Sequence, residues 1–260
     1  MPSVPSRAAW RWFVLPAAAA VALALAPGAT TGQAKFPPVD HFQCYMPADP
    51  PKPVTGGTVY TQGQFDQKLV PTAVGLLYRF CNPVAKTFNG LTTPIRNPRM
   101  HLTLYSIAEH TVTVTRTLVV SNQLGTQKMV IGRARWLAVP SSKDSDAVPA
   151  PNLLNHFVCY EVLKTRSFQL NVRLKDQWLS HGAELLKAAL FCVPALKYVK
   201  STPSRKFAIV DPQTHLTCYL MKTGGSPESL KLLNQFNRAE FRVTRADLLC
   251  MPSKKLRHSP

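Results

Sequence analysis

Acidic side chains are scarce in this chain of 260 residues: 13 Asp and Glu stand against 31 Lys and Arg, a formal charge of +18. The acids are scattered and recur in no paired pattern, so the two-carboxylate arrangement of glycoside chemistry is not evident. No nucleophile elbow, HExxH helix, P-loop or dinucleotide-binding glycine pattern occurs, and no catalytic residue, metal site or cofactor is predicted. A long hydrophobic run is missing too. The one apolar stretch, Trp12 to Ala26, is interrupted by Pro16 and falls short of the roughly 20 residues that a spanning helix needs.

That stretch follows Arg7 and Arg11 and leads into small residues through Ala34. Basic, apolar and small segments in this order are a secretory signal peptide, so we expect residues 1–34 to be removed. Cleavage is expected between Ala26 and Lys35, with Gly32-Gln33-Ala34 the best site. The mature chain then keeps every acid and loses only two arginines, a charge of +16. A field of that sign draws in polyanions.

A short box recurs four times: His41-Phe42-Gln43-Cys44-Tyr45, His101 to Tyr105, His156 to Tyr160 and His215 to Tyr219. The histidines are 60, 55 and 59 residues apart, which defines a quarter. Each quarter carries a second landmark, a Gln-centred triplet headed by Gly63, Asn122, Asp176 or Asn234, and a third ending two residues before Pro83, Pro140, Pro194 or Pro252. The entries to quarters two and four, Asn97 to Tyr105 and Asp211 to Tyr219, match closely, so the chain reads as a two-quarter module duplicated in tandem.

Cysteine pairing follows from the quarter that breaks the pattern. Quarters one, three and four hold Cys44 and Cys81, Cys159 and Cys192, Cys218 and Cys250; quarter two has Leu104 and Ala138 instead. Joint loss within one quarter is what bonded partners show, because a lone survivor would be a free thiol in an oxidising compartment. We expect those three bonds, each contributing roughly 3 to 4 kcal/mol in the chain-entropy model, with Leu104 filling the vacated space.

Phe168, Leu170, Val172 and Leu174 alternate with polar residues, and the boxes fit the same period, placing Phe42 and Cys44 on one face and His41, Gln43 and Tyr45 on the other. Ala183 to Leu190 has a helix-like composition, but the repeat outweighs local propensity there. The predicted fold is all-β: two antiparallel sandwich or open-barrel modules, residues 38–140 and 153–256, joined by a linker at 141–152, each of two three-stranded quarters.

With these boxes the chain resembles a family of exported bacterial proteins whose repeats run Asp-His-Phe-x-Cys-Tyr, then Asp-Gln-Phe, then Leu-Cys-x-Pro, known as a domain of unknown function. The resemblance covers about residues 39–255. Quarter two departs in lacking both cysteines, and quarter one has Gly63 where Asp or Asn is usual. The family implies export and repetition and assigns no activity.

Candidate binding groups are few. Tyr45, Tyr105, Tyr160 and Tyr219 form either an aromatic ligand face or, as we favour, a packing ladder between strands. The histidines three residues before cysteines evoke zinc, but His101 persists where the cysteine is gone and bonded sulfur cannot ligate. Basic side chains concentrate at Lys197, Lys200, Arg205 and Lys206, and at the chain end. The expected function is an exported, non-enzymatic binding or surface-interaction module for acidic envelope or extracellular polymers, without specific nucleic-acid recognition. A ligand-free structural envelope component and an unfamiliar exported hydrolase stand as alternatives.

Overall fold

The computed structural model describes residues 39–49, 54, 57–108, 115–143, 153–200, 204–223, 225–236 and 238–259. The expected signal peptide lies outside them. Quarter one contributes β1 (His41–Pro47), β2 (Thr58–Gly63) and β3 (Val70–Phe88), with β4 (Leu91–Thr93) folded back on the end of β3. Quarter two contributes β5 (His101–Ile107), β6 (Arg116–Asn122) and β7 (Gly125–Lys143). Quarter three has β8 (His156–Thr165), β9 (Leu170–Lys175) and β10 (Ser180–Val199), with β11 (Arg205–Phe207) returning along β10. Quarter four has β12 (Thr214–Lys222), β13 (Gly225–Leu233) and β14 (Arg238–Ser259).

All strands pair antiparallel in one sheet. Its centre is a closed ring of the first and third strands of each quarter, in the order β1, β3, β5, β7, β8, β10, β12, β14 and back to β1. Closure leaves these strands no free edge. The all-β antiparallel class is the expected one, reached by a single sheet in place of two sandwiches. Nor does the sheet divide at the expected linker: residues 141–143 continue β7, β7 pairs with β8, and Lys35–Pro260 is one compact unit. Residues 144–152 lie outside the described ones.

Each third strand is long because it serves both an outer hairpin and the ring. Its first half forms a hairpin with its own second strand, as in β2–β3 and β9–β10; its second half runs through the ring and beyond. The register shifts between the two halves, over Val74–Arg79, Ile131–Trp136 and Leu185–Leu190, and β14 shifts likewise over Val243–Leu248 against β1. All four shifts occupy the same position relative to the cysteine or its substitute. Bulges bend a strand and sharpen its twist, and here they turn each hairpin out of the ring. The helix-like Ala183–Leu190 falls within such a shift and is strand, since pairing on both sides overrides its propensity.

The bent hairpin reaches the quarter opposite. β2 pairs with the far end of β10, β9 with the far end of β3, β6 with β14, and β13 with β7. Every second strand therefore bridges two quarters that are not neighbours around the ring.

Two cores result. The cysteine side of all eight ring strands forms one buried cluster, including Phe42, Cys44, Leu102, Phe157, Cys192 and Leu248. The other side of the ring packs against the outer hairpins through a larger cluster including Phe80, Leu118, Val158, Leu185 and Leu249. Burying one such side chain contributes about 1.5 to 3 kcal/mol. The disulfides are Cys44–Cys81, Cys159–Cys192 and Cys218–Cys250, each between residues directly opposite on paired strands, with Cα atoms 3.8 to 3.9 Å apart. In quarter two Leu104 stands opposite Ala138 in the same register, both 1% exposed.

The double substitution Leu104→Cys/Ala138→Cys is expected to form a fourth bond and raise stability by about 2 to 4 kcal/mol. Non-reducing peptide mapping and denaturant unfolding with and without reductant check it; two free thiols in the folded variant would contradict the shared register.

Candidate functional site

The repeated histidines and tyrosines lie between the ring and the outer hairpins, while the triplet glutamines Gln64, Gln123, Gln177 and Gln235 are exposed. All opening strands run in the same direction, so His41, His101, His156 and His215 sit toward one end of the ring and the four tyrosines toward the other. The tyrosines are buried, at 1, 0, 4 and 0% exposure for Tyr45, Tyr105, Tyr160 and Tyr219. They form no surface face, which corrects the ligand-face reading: the layer of outer strands covers them.

Each tyrosine meets the triplet of the opposite quarter. Tyr45 donates to Asp176 Oδ2 at 2.6 Å and packs edge-on against Trp178 at 5.0 Å. Asn234 donates from Nδ2 to the Tyr105 hydroxyl at 2.9 Å, with Phe236 edge-on at 5.3 Å. Asn122 donates to the Tyr219 hydroxyl at 2.8 Å, and Phe168 supplies the ring that Leu124 lacks. Phe65 is edge-on to Tyr160 at 5.4 Å. Gly63 has no side chain to reach Tyr160, whose hydroxyl is buried without a hydrogen-bond partner. Burial raises the pKa of all four phenols, and the Asp176 and Asp66 carboxylates push Tyr45 and Tyr160 up further.

Each histidine meets the triplet glutamine of the following quarter, directly or through one side chain. Gln64 bonds His215 Nε2 at 2.6 Å, and Gln123 bonds His41. Gln177 donates to Asn82, which also bonds His101; Gln235 accepts from Lys197, which contacts His156 Nε2. His101 and His215 further stack on Phe80 and Phe191. Burial, with Lys86 second, drives His41 down to about 3, and burial drives His215 down to about 4. His156 falls well below the ordinary imidazole range by burial and then the Lys197 charge. Neutral rings of this kind each offer one donor and one acceptor.

A fourth landmark escaped the sequence reading. Lys86, Lys143, Lys197 and Lys255 each lie five residues after the cysteine or its substitute, and each reaches toward its quarter's histidine or the next quarter's triplet. Lys86 acts on the charge of His41, Lys143 lies over the Trp178 ring at 4.8 Å, and Lys255 donates to Gln64. The signal was available three residues beyond each proline. Lys197, expected on a basic surface, is instead 0% exposed under Phe207 at 4.0 Å, and burial lowers its pKa to about 6. Lys200, Arg205 and Lys206 are exposed.

Nine of the ten described acids have partners within the protein. Asp40, Asp66, Asp176 and Asp211 are buried and accept backbone N–H groups at 2.8 to 3.2 Å; the last three close local turns, and Asp40 holds the distant Arg96–Asn97 backbone. Asp247 holds Arg79 through two bonds of 2.7 and 2.8 Å. Asp49, Glu161, Glu184 and Glu240 lie in ion pairs with Arg242, Arg135, Lys222 and Lys231. Among the described residues no three His, Cys, Asp or Glu side chains converge as metal ligands.

Quarters two to four are also where the chain matches a known family. The model of the family described as Repeat of unknown function (DUF7450) matches residues 101–252. The chain belongs to this family. The DUF7450 match opens at His101 and closes at Pro252, on the same boxes that bound the quarters. No curated protein and no solved structure matches the chain.

Two outcomes follow. Tyr160→Phe removes a hydroxyl that bonds nothing and is expected to be neutral or stabilising, whereas Tyr45→Phe should cost about 1 to 3 kcal/mol; equal losses in urea unfolding would argue against the pairing. For pH, His41, His215 and Lys197 all bind protons less readily folded than unfolded, so stability rises with pH between their folded and unfolded values. The histidine window runs from about 3 or 4 to 6.5, and that of Lys197 from about 6 to 10.5. Lys197→Met is therefore expected to flatten the climb in stability between about pH 7 and 9 while leaving the acid limb; an unchanged slope in denaturant titrations would exclude a neutral buried amine.

Proposed function

We propose that this protein is an exported, non-enzymatic, disulfide-stapled repeat protein that binds acidic polymers of the cell envelope or extracellular space. The observation that carries the reading is the division of charge. Among the described acids only Glu228 neither accepts a backbone N–H group nor sits in an ion pair, while the exposed basic side chains are far more numerous. Three disulfides suit an oxidising compartment outside the cytosol, in keeping with the signal-like leader.

One outer surface concentrates the charge. Where β6 joins β7 and the end of β14, Val119 stands opposite both Lys128 and Arg257. Lys254 pairs with Ser121, and Lys164 with Val130 one row away. These basic side chains are exposed, and neither β6 nor the facing segments 126–130 and 254–259 contains an acid. Lysines and arginines spaced along a flat sheet attract an extended polyanion and release its counterions on contact, which makes binding salt-dependent. A shallow groove along β9, lined by Asn171, Arg173 and Gly182, holds a single carboxylate, Glu184, which favours binding over two-carboxylate hydrolysis. The burial of the repeated histidines and tyrosines supports the second reading, a structural envelope component without ligand.

Heparin chromatography separates the two. Retention is expected to persist to about 0.3 M salt, where screening is already strong, and Lys128→Glu/Lys254→Glu/Arg257→Glu is expected to elute much earlier. Elution of the unaltered chain at or below about 0.15 M salt returns the protein to the structural reading.

A further inference from the structure

Four copies of one unit build this molecule, so a side chain that the fold requires recurs in all four, and one it does not require is free to differ. The buried landmarks recur. Outward positions on the bridging strands do not, and one stands apart. On β2, Tyr60 faces Tyr198 of β10, with ring centroids 6.1 Å apart and planes inclined by 55°. Pro71 lies on the far side of Tyr60 and Lys206 on the far side of Tyr198. The row Pro71, Tyr60, Tyr198, Lys206 thus crosses four strands, about 14 Å from end to end. Both phenol rings are half-buried, and Lys206 and Pro71 are exposed. The corresponding rows carry Val119 with Arg257, and Arg173 with Thr87, so the fold tolerates residues without a ring at these positions.

The row is firmly backed. Beneath it Val59 and Thr61 of β2 are buried, and Thr61 bonds Thr72 at 2.9 Å. On β10 and β11 the inward neighbours Lys197 and Phe207 pack together, with Phe207 also against His156 at 5.0 Å. Rigid aromatic rings on a strand scaffold lose little entropy when a ligand covers them.

Its chemistry is specific in kind. Two rings offer apolar faces and hydroxyl tips, Thr58 and Gln62 on the same strand face add neutral donors and acceptors, and Lys206 and Lys200 supply positive charge at one end. No acid occurs on β2, β11 or the facing segments 70–74 and 195–199. A polyphosphate chain, charged at every unit, would find cations along only part of this track. A sugar polymer with widely spaced carboxylates matches it better: pyranose C–H faces on the rings, hydroxyls on the amide and hydroxyl groups, a carboxylate at the lysines.

We infer that the Tyr60–Tyr198 row is a glycan-binding strip for uronate-containing polysaccharide. This rests on the acidic-polymer reading and names the ligand class and the residues that select it.

Calorimetric titration of the exported chain with oligogalacturonate, dextran and oligothymidylate tests it, alongside heparin retention. The uronate oligomer is expected to bind and neutral dextran to bind weakly. Tyr60→Ala/Tyr198→Ala should lower uronate affinity about tenfold or more, whereas Tyr60→Phe/Tyr198→Phe, which keeps both rings, should stay within about threefold. Thermal melting confirms that the variants fold, and the Phe pair carries the comparison if the Ala pair does not. A wild-type chain retained on heparin but silent toward the uronate overturns the strip and leaves the wider reading standing; loss of both overturns both. Uronate binding unaffected by Tyr60→Ala/Tyr198→Ala, or a large loss in the Phe pair, also overturns it. Tighter binding of oligothymidylate, lost with the rings, would reassign the row to single-stranded nucleic acid.

Discussion

A second strand in this fold has one edge on its own quarter and the other on the quarter opposite. Without the opposite quarter that edge would be bare, with unpaired N–H and C=O groups, and an isolated hairpin is marginal in water. The need to satisfy both edges ties the four quarters into one unit. The disulfides cannot do this, since each joins strands of a single quarter. They confine the ring strands locally, while cohesion between quarters comes from strand pairing and from the Tyr, Asx, His, Gln and Lys side chains at the crossing points.

That division explains quarter two. Its cysteine positions face the interior of the ring, where Leu104 and Ala138 complete the apolar packing. His101 and Tyr105 face the other way, toward Asn82 and Asn234 of other quarters, and their partners are unaffected by the missing bond. The two faces answer to different constraints. The polar contacts also guard register: a slip of one residue would turn a tyrosine hydroxyl into the apolar interior and a cysteine toward the outer layer. Buried polar groups that find partners in only one alignment favour that alignment.

The same arrangement leaves the protein's outside free to vary. Most of the described acids accept backbone N–H groups or sit in ion pairs, and exposed lysines and arginines outnumber them on the outer strands. Two outer surfaces with different character then stand on one scaffold: the basic rows around β6, and the aromatic row where β2 meets β10. Rigid sheets carrying variable outward residues are a sound base for recognition, because the scaffold fixes spacing while side chains set chemistry.

Much of the fold was legible in the residues alone. The four boxes, their strand period and the joint absence of cysteines at Leu104 and Ala138 each express local or pairwise rules: alternation marks a half-buried strand, and bonded partners are lost together. Other features had no local expression. Which quarter the Gln64 or Asp176 triplet would touch depends on hairpins bending across the ring, and the helix-like Ala183–Leu190 became strand only because β9 and β12 pair with it. Lys197 looked like one more surface charge until Phe207 and Gln235 enclosed it, and Tyr60 and Tyr198, 138 residues apart, met only when β2 crossed to β10. The chain by itself determined the repeat unit and its staples, since those are written in spacing. Tertiary structure decided which polar side chains are buried and which aromatic ones reach solvent, because both depend on the strand that the opposite quarter lays against them.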